Sequence, residues 1–352
     1  MKNEDHRQAA KGAARRLKVA GEVLLFIFYL LLLDQIIYRL PVEPPGDSQN
    51  PYLEKQQLYA ALGDTPDVLY MGSSRIWTGL IPSRISARLA AWGIDIEGFN
   101  FGASATTPVV HRAFLRDDAL PRGRPRLIIL EVAAREFNAN NGRNEKPFTY
   151  LTGKRDVIPF LLAGPTAGEA KALLFSNVFM SSRRFSDIRA WIQGRDEPAP
   201  EPGGTEPVTV QHADGWLEYA YTPPVSWEEK KAYWEEVYRE EVLVDYAIEG
   251  APDMAFRRFL ELAAENGIPV KLLNMPVTEE QMGFFTGGEY AAYMDYVTRT
   301  AGEFGVELID YNTPGKRPPP GWYHDTHHLN TRGAEGFSDI VADEVVGPFF
   351  DE

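Results

Sequence analysis

The segment Arg126-Leu127-Ile128-Ile129-Leu130-Glu131-Val132 is apolar without alternation, the pattern of a strand covered on both faces of its sheet. The rest of the chain must therefore supply helices for both sides. Asp67–Met71 reads as a second buried strand, and Pro82–Trp92 carries Ile85, Leu89 and Ala90 at helical spacing. Ile94–Phe101 alternates as a third strand, and a helix through Val109, Val110, Phe114 and Leu115 follows it. After Gly250 come a helix over Met254–Asn266, a strand over Val270–Pro276, a helix over Glu289–Glu303 and a last strand over Val306–Tyr311. A closing helix runs through Gly336, Phe337, Ile340 and Val341. Strand and helix alternate, which calls for a parallel sheet with any site at the carboxyl ends of its strands.

The expected fold is α/β: a flavodoxin-like three-layer α/β/α sandwich with a central parallel five-stranded sheet, an inserted region and one N-terminal transmembrane helix. The insertion is placed at about 138–250, where the alternation fails. It holds Asn138–Asn141, a Pro/Glu/Gly run from Asp196 to Pro207 and an aromatic-rich stretch from Trp216 to Tyr221. Ser226-Trp227-Glu228-Glu229 is a capping-box signature opening a helix in which Tyr233, Trp234, Val237 and Tyr238 can share a face. Two readings of that stripe stand open, ordinary core or a lid or partner-docking helix over the strand ends.

Residues 1–18 carry Lys2, Arg7, Lys11, Arg15, Arg16 and Lys18 against Glu4 and Asp5, and the apolar run Val23–Leu33 follows. No small-residue cleavage site succeeds it, and the chain continues through Ile36, Ile37 and Tyr38 to Leu40. We read 1–18 as a cytoplasmic basic tail, 19–40 as an uncleaved signal anchor, 41–55 as a linker and 56–352 as the globular domain. This places the chain in a bacterial inner membrane as a single-pass protein, its main domain periplasmic or extracellular. Asp34 and Glu22 either lie near the interfaces or, for Asp34, face a membrane partner. A net charge of −14 repels a phosphate backbone, so nucleic acid is excluded as a partner. The absence of cysteine rules out disulfides, thiolate metal sites and cysteine nucleophiles.

Two short stretches carry chemistry. Val68-Leu69-Tyr70-Met71-Gly72-Ser73-Ser74-Arg75 is a strand that breaks at glycine with two serines at the turn. Tyr323-His324-Asp325-Thr326-His327-His328-Leu329-Asn330 offers a carboxylate and, three residues later, an imidazole, before a helix beginning near Thr331. A serine hydroxyl becomes a competent nucleophile when an imidazole accepts its proton, and the imidazole needs a carboxylate to fix its tautomer. His328 is the base by spacing to Asp325, with His327 its rival. A metal site on His324, Asp325, His327 and His328 is disfavoured because adjacent ligands crowd one ion. His111 and His212 are expected to be solvated or satisfied locally.

In order, Gly72-Ser73-Ser74, Asn100 through Ala105, Glu131 through Phe137 and Asp325 through Asn330 resemble the blocks of the SGNH/GDSL-type hydrolase superfamily. The resemblance covers about 65–160 and 250–346 and leaves the insertion unmatched. It implies Ser74 as nucleophile, with Asp325 and His328 completing the triad and with no cofactor or metal. It implies an oxyanion hole from the Ser74 N–H and a second-block donor falling on Ala105, with Gly102 nearby. The third-block position, asparagine in the family, is Arg135 here. Ser73 stands where the family commonly has Asp. Losing one oxyanion donor typically costs on the order of 10² to 10³ in rate, so either Arg135 substitutes or turnover is slow. The anchor and the altered blocks look most like the DltD-like and alginate-acetylation-type members. Those assist multi-span membrane O-acyltransferases, which implies an acyl ester on Ser74 passed to a polysaccharide hydroxyl or to water. A second class stays open: a non-catalytic scaffold or binding subunit of a membrane complex, favoured by Ala105 and Arg135 and opposed by the intact Ser74, Asp325 and His328.

Overall fold

The computed structural model describes residues 2–39, 51–104, 106–141, 157–162, 170–171, 208–221 and 225–351. The chain divides into two compact units, 1–48 with 173–197, and 49–172 with 198–352.

Within the first unit, helix α1 spans Lys2–Tyr38. Among the described residues its stretch Lys18–Ile37, with a mean hydropathy of 2.0, is the one helix long and apolar enough to cross a membrane. Leu24 and Phe26 are 67% and 63% exposed, whereas Asp34 is only 4% exposed.

The second unit is built on a five-stranded parallel sheet. Its strands are β1 (Val68–Gly72), β2 (Gly98–Gly102), β3 (Leu127–Glu131), β6 (Val270–Asn274) and β7 (Glu307–Asp310), in the order β2-β1-β3-β6-β7. Counted by appearance in the sheet this is 2-1-3-4-5, the flavodoxin-like order, with its crevice at the carboxyl ends of the strands. Strand residues alternate between two cores. Leu69, Met71, Ile128, Leu130 and Leu272 pack with Phe114, Phe256, Phe259 and Tyr293 on one side. Val68, Tyr70, Leu127, Ile129 and Leu273 pack with Ile85, Leu89, Phe337 and Val341 on the other. With no solvated face on β1 and β3, Val68–Met71 and Leu127–Leu130 are apolar or aromatic throughout, whereas β6 carries Lys271 and Asn274. Each large side chain so buried stabilises the fold by about 1.5–3 kcal/mol.

The helices are α2 (Pro51–Ala61), α3 (Ser74–Gly79), α4 (Pro82–Ala90), α5 (Pro108–Phe114), α6 (Ala134–Phe137), α7 (Trp227–Val237), α8 (Gly250–Glu265), α9 (Glu289–Phe304) and α10 (Thr331–Val341), of which α4, α5 and α7 to α10 fall where the sequence pattern called for them. Three segments differ from the sequence reading. Helix α2 begins inside the stretch 41–55 read as linker. Strand β2 starts only at Gly98, because Ile94–Glu97 approaches the sheet as a connection that is fixed where Val68 N–H donates to Glu97 O at 3.1 Å. The aromatic-rich stretch forms β5 (Leu217–Tyr221), paired antiparallel with β4 (Val208–Gln211). Of the insertion, the Pro/Glu/Gly run Asp196–Pro207 lies outside the described residues. Its neck is closed by the Asn138–Ile248 bridge and by the Ala139 N–H donating to Ala247 O at 2.8 Å.

Candidate active site

Strand β1 ends at Gly72, where a Cβ would lie 2.4 Å from both Glu131 Oε2 and Ile76 Cγ1. Only glycine lets the chain turn this close to β3. Ser73 caps α3 with its hydroxyl accepting from Arg75 N–H at 3.3 Å. Glu131, at the end of β3, receives the Ser73 N–H at 2.5 Å, the Ser73 hydroxyl at 3.1 Å and Arg75 Nε at 2.6 Å. The turn is thereby pinned, and the next residue, Ser74, is left half-buried as the first residue of α3.

The second half of the site comes from the loop before α10. Asn330 caps that helix through Gly333 N–H at 2.9 Å, and His324 N–H donates to His328 O at 2.8 Å, closing Asp325–His327 into a tight loop. Asp325 Oδ1 accepts the His327 and His328 backbone N–H groups at 2.9 and 2.8 Å. Its Oδ2 lies 2.7 Å from His328 Nδ1, and Trp234 Nε1 donates to the same oxygen at 3.0 Å. On the other side of the ring His328 Nε2 lies 2.8 Å from Ser74 Oγ, a contact between residues 254 positions apart. With Nδ1–H donating to the carboxylate, Nε2 is the acceptor for the serine proton.

Burial opposes charge on Asp325, but His328, His327 and their hydrogen bonds overcome it and hold the carboxyl well below its usual range. Asp325 is therefore an anion at neutral pH. His327, the rival base, is only 5% exposed; burial, with the neighbouring His328, drives its imidazole well below the ordinary value. Its Nδ1 sits 3.2 Å from Thr326 Oγ1 and its ring meets Trp234 edge-on at 4.3 Å. His324 stacks on Tyr219 at 4.6 Å and is pushed down to about 4, chiefly by burial. Asp325, His327 and His328 do place three donor atoms within 4.8 Å of one another. Seating a cation there would take the His328 imidazole from Ser74 or Asp325, since both its nitrogens are engaged.

The expected oxyanion donors fare unequally. The Ser74 N–H belongs to the first turn of α3, where a helix offers no internal acceptor. Ala105 lies outside the described residues. Gly102 is a correction: its N–H is spent on Asn100 Oδ1 at 2.8 Å. Asn100 holds that oxygen in place by donating from Nδ2 to Ile76 O and Leu80 O, both at 2.7 Å. Arg135 lies in α6, just beyond β3, beside Glu136, with 3.6 Å between Nη2 and Oε1, and that Nη2 is buried without a hydrogen-bond partner among the described residues. Of the two alternatives for His111, the structure takes the local one: it is buried with a hydrogen bond to the Gly72 backbone, and its imidazole is driven down to about 4, chiefly by burial. His212 is satisfied locally, 3.0 Å from Glu218 and stacked on Trp216.

Sequence reasoning left the helix of the insertion open between core and a lid over the strand ends, and it missed the contacts that the insertion makes with the site. Lys230 Nζ donates to His324 O at 2.7 Å, and Trp234 lies against both His327 and His328. Trp77 Nε1 donates to Gln211 Oε1 at 2.8 Å, Trp216 Nε1 to Thr78 O at 3.1 Å, and Thr331 Oγ1 to Tyr219 O at 3.3 Å. Hairpin and helix α7 thus wall the serine and the histidine loop. The Asp214-Gly215 turn is the signal that could have found the hairpin.

A scan against protein-family models found no match. A search of curated proteins found none either. Among solved structures, an acetyl xylan esterase is similar at 14% identity, covering 79% of this chain and 98% of its own, with a TM-score of 0.37. A lipase/acylhydrolase from Enterococcus faecalis is similar at 10% identity, covering 80% and 95%, with a TM-score of 0.36. A catalytic mutant of an acetylxylan esterase from Geobacillus stearothermophilus is similar at 11% identity, covering 80% and 94%, with a TM-score of 0.37. At this level of likeness, the chemistry of the site has to be read from its own geometry.

Proposed function

We propose that this chain is a membrane-anchored serine esterase or O-acyltransferase that acts on acyl esters of cell-envelope polysaccharide. One observation carries the reading: Ser74 Oγ, His328 Nε2, His328 Nδ1 and Asp325 Oδ2 form an unbroken chain of 2.8 and 2.7 Å contacts. In the first half-reaction Ser74 Oγ attacks the ester carbonyl while its proton passes to His328 Nε2. The tetrahedral oxyanion collapses, the C–O bond to the leaving alcohol breaks, and that alcohol takes the proton from His328. An acyl ester on Ser74 remains. In the second half-reaction a water or a sugar hydroxyl gives its proton to His328 Nε2 and attacks the acyl carbon; the bond from that carbon to Ser74 Oγ then breaks, Oγ recovers the proton from His328, and the free acid or the new sugar ester leaves. Asp325 stays ionised throughout and stabilises the imidazolium.

The Ser74 N–H is the first oxyanion donor in this reading. Arg135, whose Nη2 has no hydrogen-bond partner among the described residues, is the third-block donor in place of an asparagine, and Ala105 supplies the second through its backbone. The apolar helix Lys18–Ile37 supports an anchor in a bacterial inner membrane, with residues 1–18 cytoplasmic and the α/β unit periplasmic or extracellular. The partner that fits is a multi-span membrane O-acyltransferase, and the acceptor is a sugar hydroxyl or water. The scaffold reading draws on the Gly102 N–H being committed elsewhere.

A fluorophosphonate probe tests the two against each other. Wild-type chain should be labelled and Ser74→Ala should not. A folded wild type that takes no label defeats the esterase reading and favours the scaffold.

A further inference from the structure

We propose that Trp234, on the inserted helix α7, is a positioning residue of the triad, its indole N–H fixing the Asp325 carboxylate in the plane that serves His328. This rests on the esterase reading and adds to the same site a residue from the part of the chain that the sequence resemblance leaves unmatched.

The Asp325 side chain is 7% exposed, so its hydrogen bonds come from protein groups. Each carboxylate oxygen has room for about two donors. On Oδ1 both are backbone N–H groups of its own loop, from His327 and His328. On Oδ2 one is the His328 ring at 2.7 Å and the other is Trp234 Nε1 at 3.0 Å. Without the indole, Oδ2 keeps only the imidazole it is meant to orient. A rotated carboxylate would have another ring to turn to, because His327 Nδ1 is 3.7 Å from Oδ1.

The helix is placed to deliver that donor. Ser226 and Glu229 close a capping box that fixes its first turn. Lys230, Trp234 and Tyr238 then recur at helical spacing on the face toward the triad loop. Lys230 binds His324 O at 2.7 Å, Trp234 meets the His327 ring at 4.3 Å, and Tyr238 meets it at 5.9 Å. The charged and titratable groups around the acid are His324, His327, His328, Lys230, Tyr219 and Tyr238, with Arg75 and Arg135 behind His327. A wall that merely excludes water needs an aromatic ring here. A positioning residue needs the N–H.

Trp234→Phe separates the two, since it keeps a ring against His327 and removes the donor. In the full chain in detergent, labelling of Ser74 by a fluorophosphonate should slow by about 10- to 100-fold, the worth of one hydrogen bond to a charged group. In an Asp325→Asn background the same change should cost nothing further, because the carboxylate it acts through is gone. Tyr233→Phe, on the exposed side of α7, should label at the wild-type rate. Labelling of Trp234→Phe at the wild-type rate, or an equal slowing in both backgrounds, overturns the proposal.

A second readout does not depend on catalysis. The ¹⁵N-indole signal of Trp234 should move, and its proton exchange faster, in Asp325→Asn, while those of Trp77 and Trp216, bound to Gln211 and Thr78, stay in place. An indole signal indifferent to Asp325 overturns the proposal whatever Ser74 does. A sensitive indole in a wild type that takes no label upholds the Trp234–Asp325 link and removes the esterase reading alone.

Discussion

Glu131 and Glu136 are both buried, at 1% exposure each, and their surroundings drive them apart. Burial raises both. Around Glu131 the charges of Arg75 and Arg135 and two hydrogen bonds from Ser73 win, and the carboxyl is held below its usual range. Glu136 has Arg135 at 3.6 Å but no hydrogen-bond donor for either oxygen among the described residues, so burial and the charge of Glu131 leave it well above its usual range. A carboxyl whose folded value is raised contributes stability that is full below its unfolded value, about pH 4.3, and is lost as pH rises through the folded value. Glu136→Gln imitates the neutral form and escapes that loss. Its Tm should exceed wild type by a margin that grows from about pH 4 to about pH 8, measured by thermal melts across the range. A margin that is absent at the alkaline end would mean that an ionised pair with Arg135 stabilises the fold. At this scale, the residues the sequence made legible were those whose chemistry has a local spacing or a fixed place at a strand end. Asp325 and His328 share one loop, and Ser74 follows a strand that stops at glycine. Trp234 reaches Asp325 across 91 positions and Ser73 reaches Glu131 across 58, and no spacing rule links such pairs.

At the scale of elements, the strands that could be read were those buried on both faces, because an unbroken apolar run bounded by turns leaves few alternatives. The β4–β5 hairpin escaped because the Pro/Glu/Gly run beside it drew the whole stretch into an irregular insertion. Its role is to cover the sheet edge. The Asn100 N–H on β2 donates to Asp214 O at 2.8 Å, across a turn in which Gly215 has φ +89° and a Cβ would lie 2.1 Å from Asn100 O. Lys55 of α2, 0% exposed, ties the same spot together by donating to Asn100 O at 2.9 Å and to Gly215 O. Burial drives its ammonium well below the usual lysine range, against Glu54 and Asp214, which favour the charge. Gly215→Ala meets both a left-handed backbone and a carbonyl oxygen. We expect a loss of about 1–3 kcal/mol in denaturant melts. Because the hairpin also holds Trp77 through Gln211, Ser74 labelling should slow as well. A variant as stable as wild type would mean that the turn can lift from β2 at no cost.

For the whole molecule, the two units set opposite demands on their surroundings. The α/β unit buries its strand side chains in two cores and, apart from the pairs at the site such as Arg75–Glu131, carries ion pairs at its surface, as where Arg84 meets Asp339 through Nε and Oδ1 at 2.8 Å. Helix α1 instead exposes Val23, Leu24, Leu25, Phe26, Ile27 and Phe28, each at 45% or more. Each such side chain gains about 1.5–3 kcal/mol on leaving water, far more together than the few charges near the helix ends can oppose. A bilayer meets that demand. The full chain should therefore sediment with membranes through high-salt and alkaline washes, which strip electrostatically held proteins, and leave them only in detergent. A chain begun at Gln49, where the α/β unit starts, should appear in the aqueous fraction and still take the fluorophosphonate label on Ser74, since His328, Asp325 and Trp234, the described groups that line that hydroxyl and its imidazole, come from the same unit. If the shortened chain is insoluble, or folded but unlabelled while the full chain is labelled, the apolar helix is needed by the catalytic unit itself and is more than an anchor.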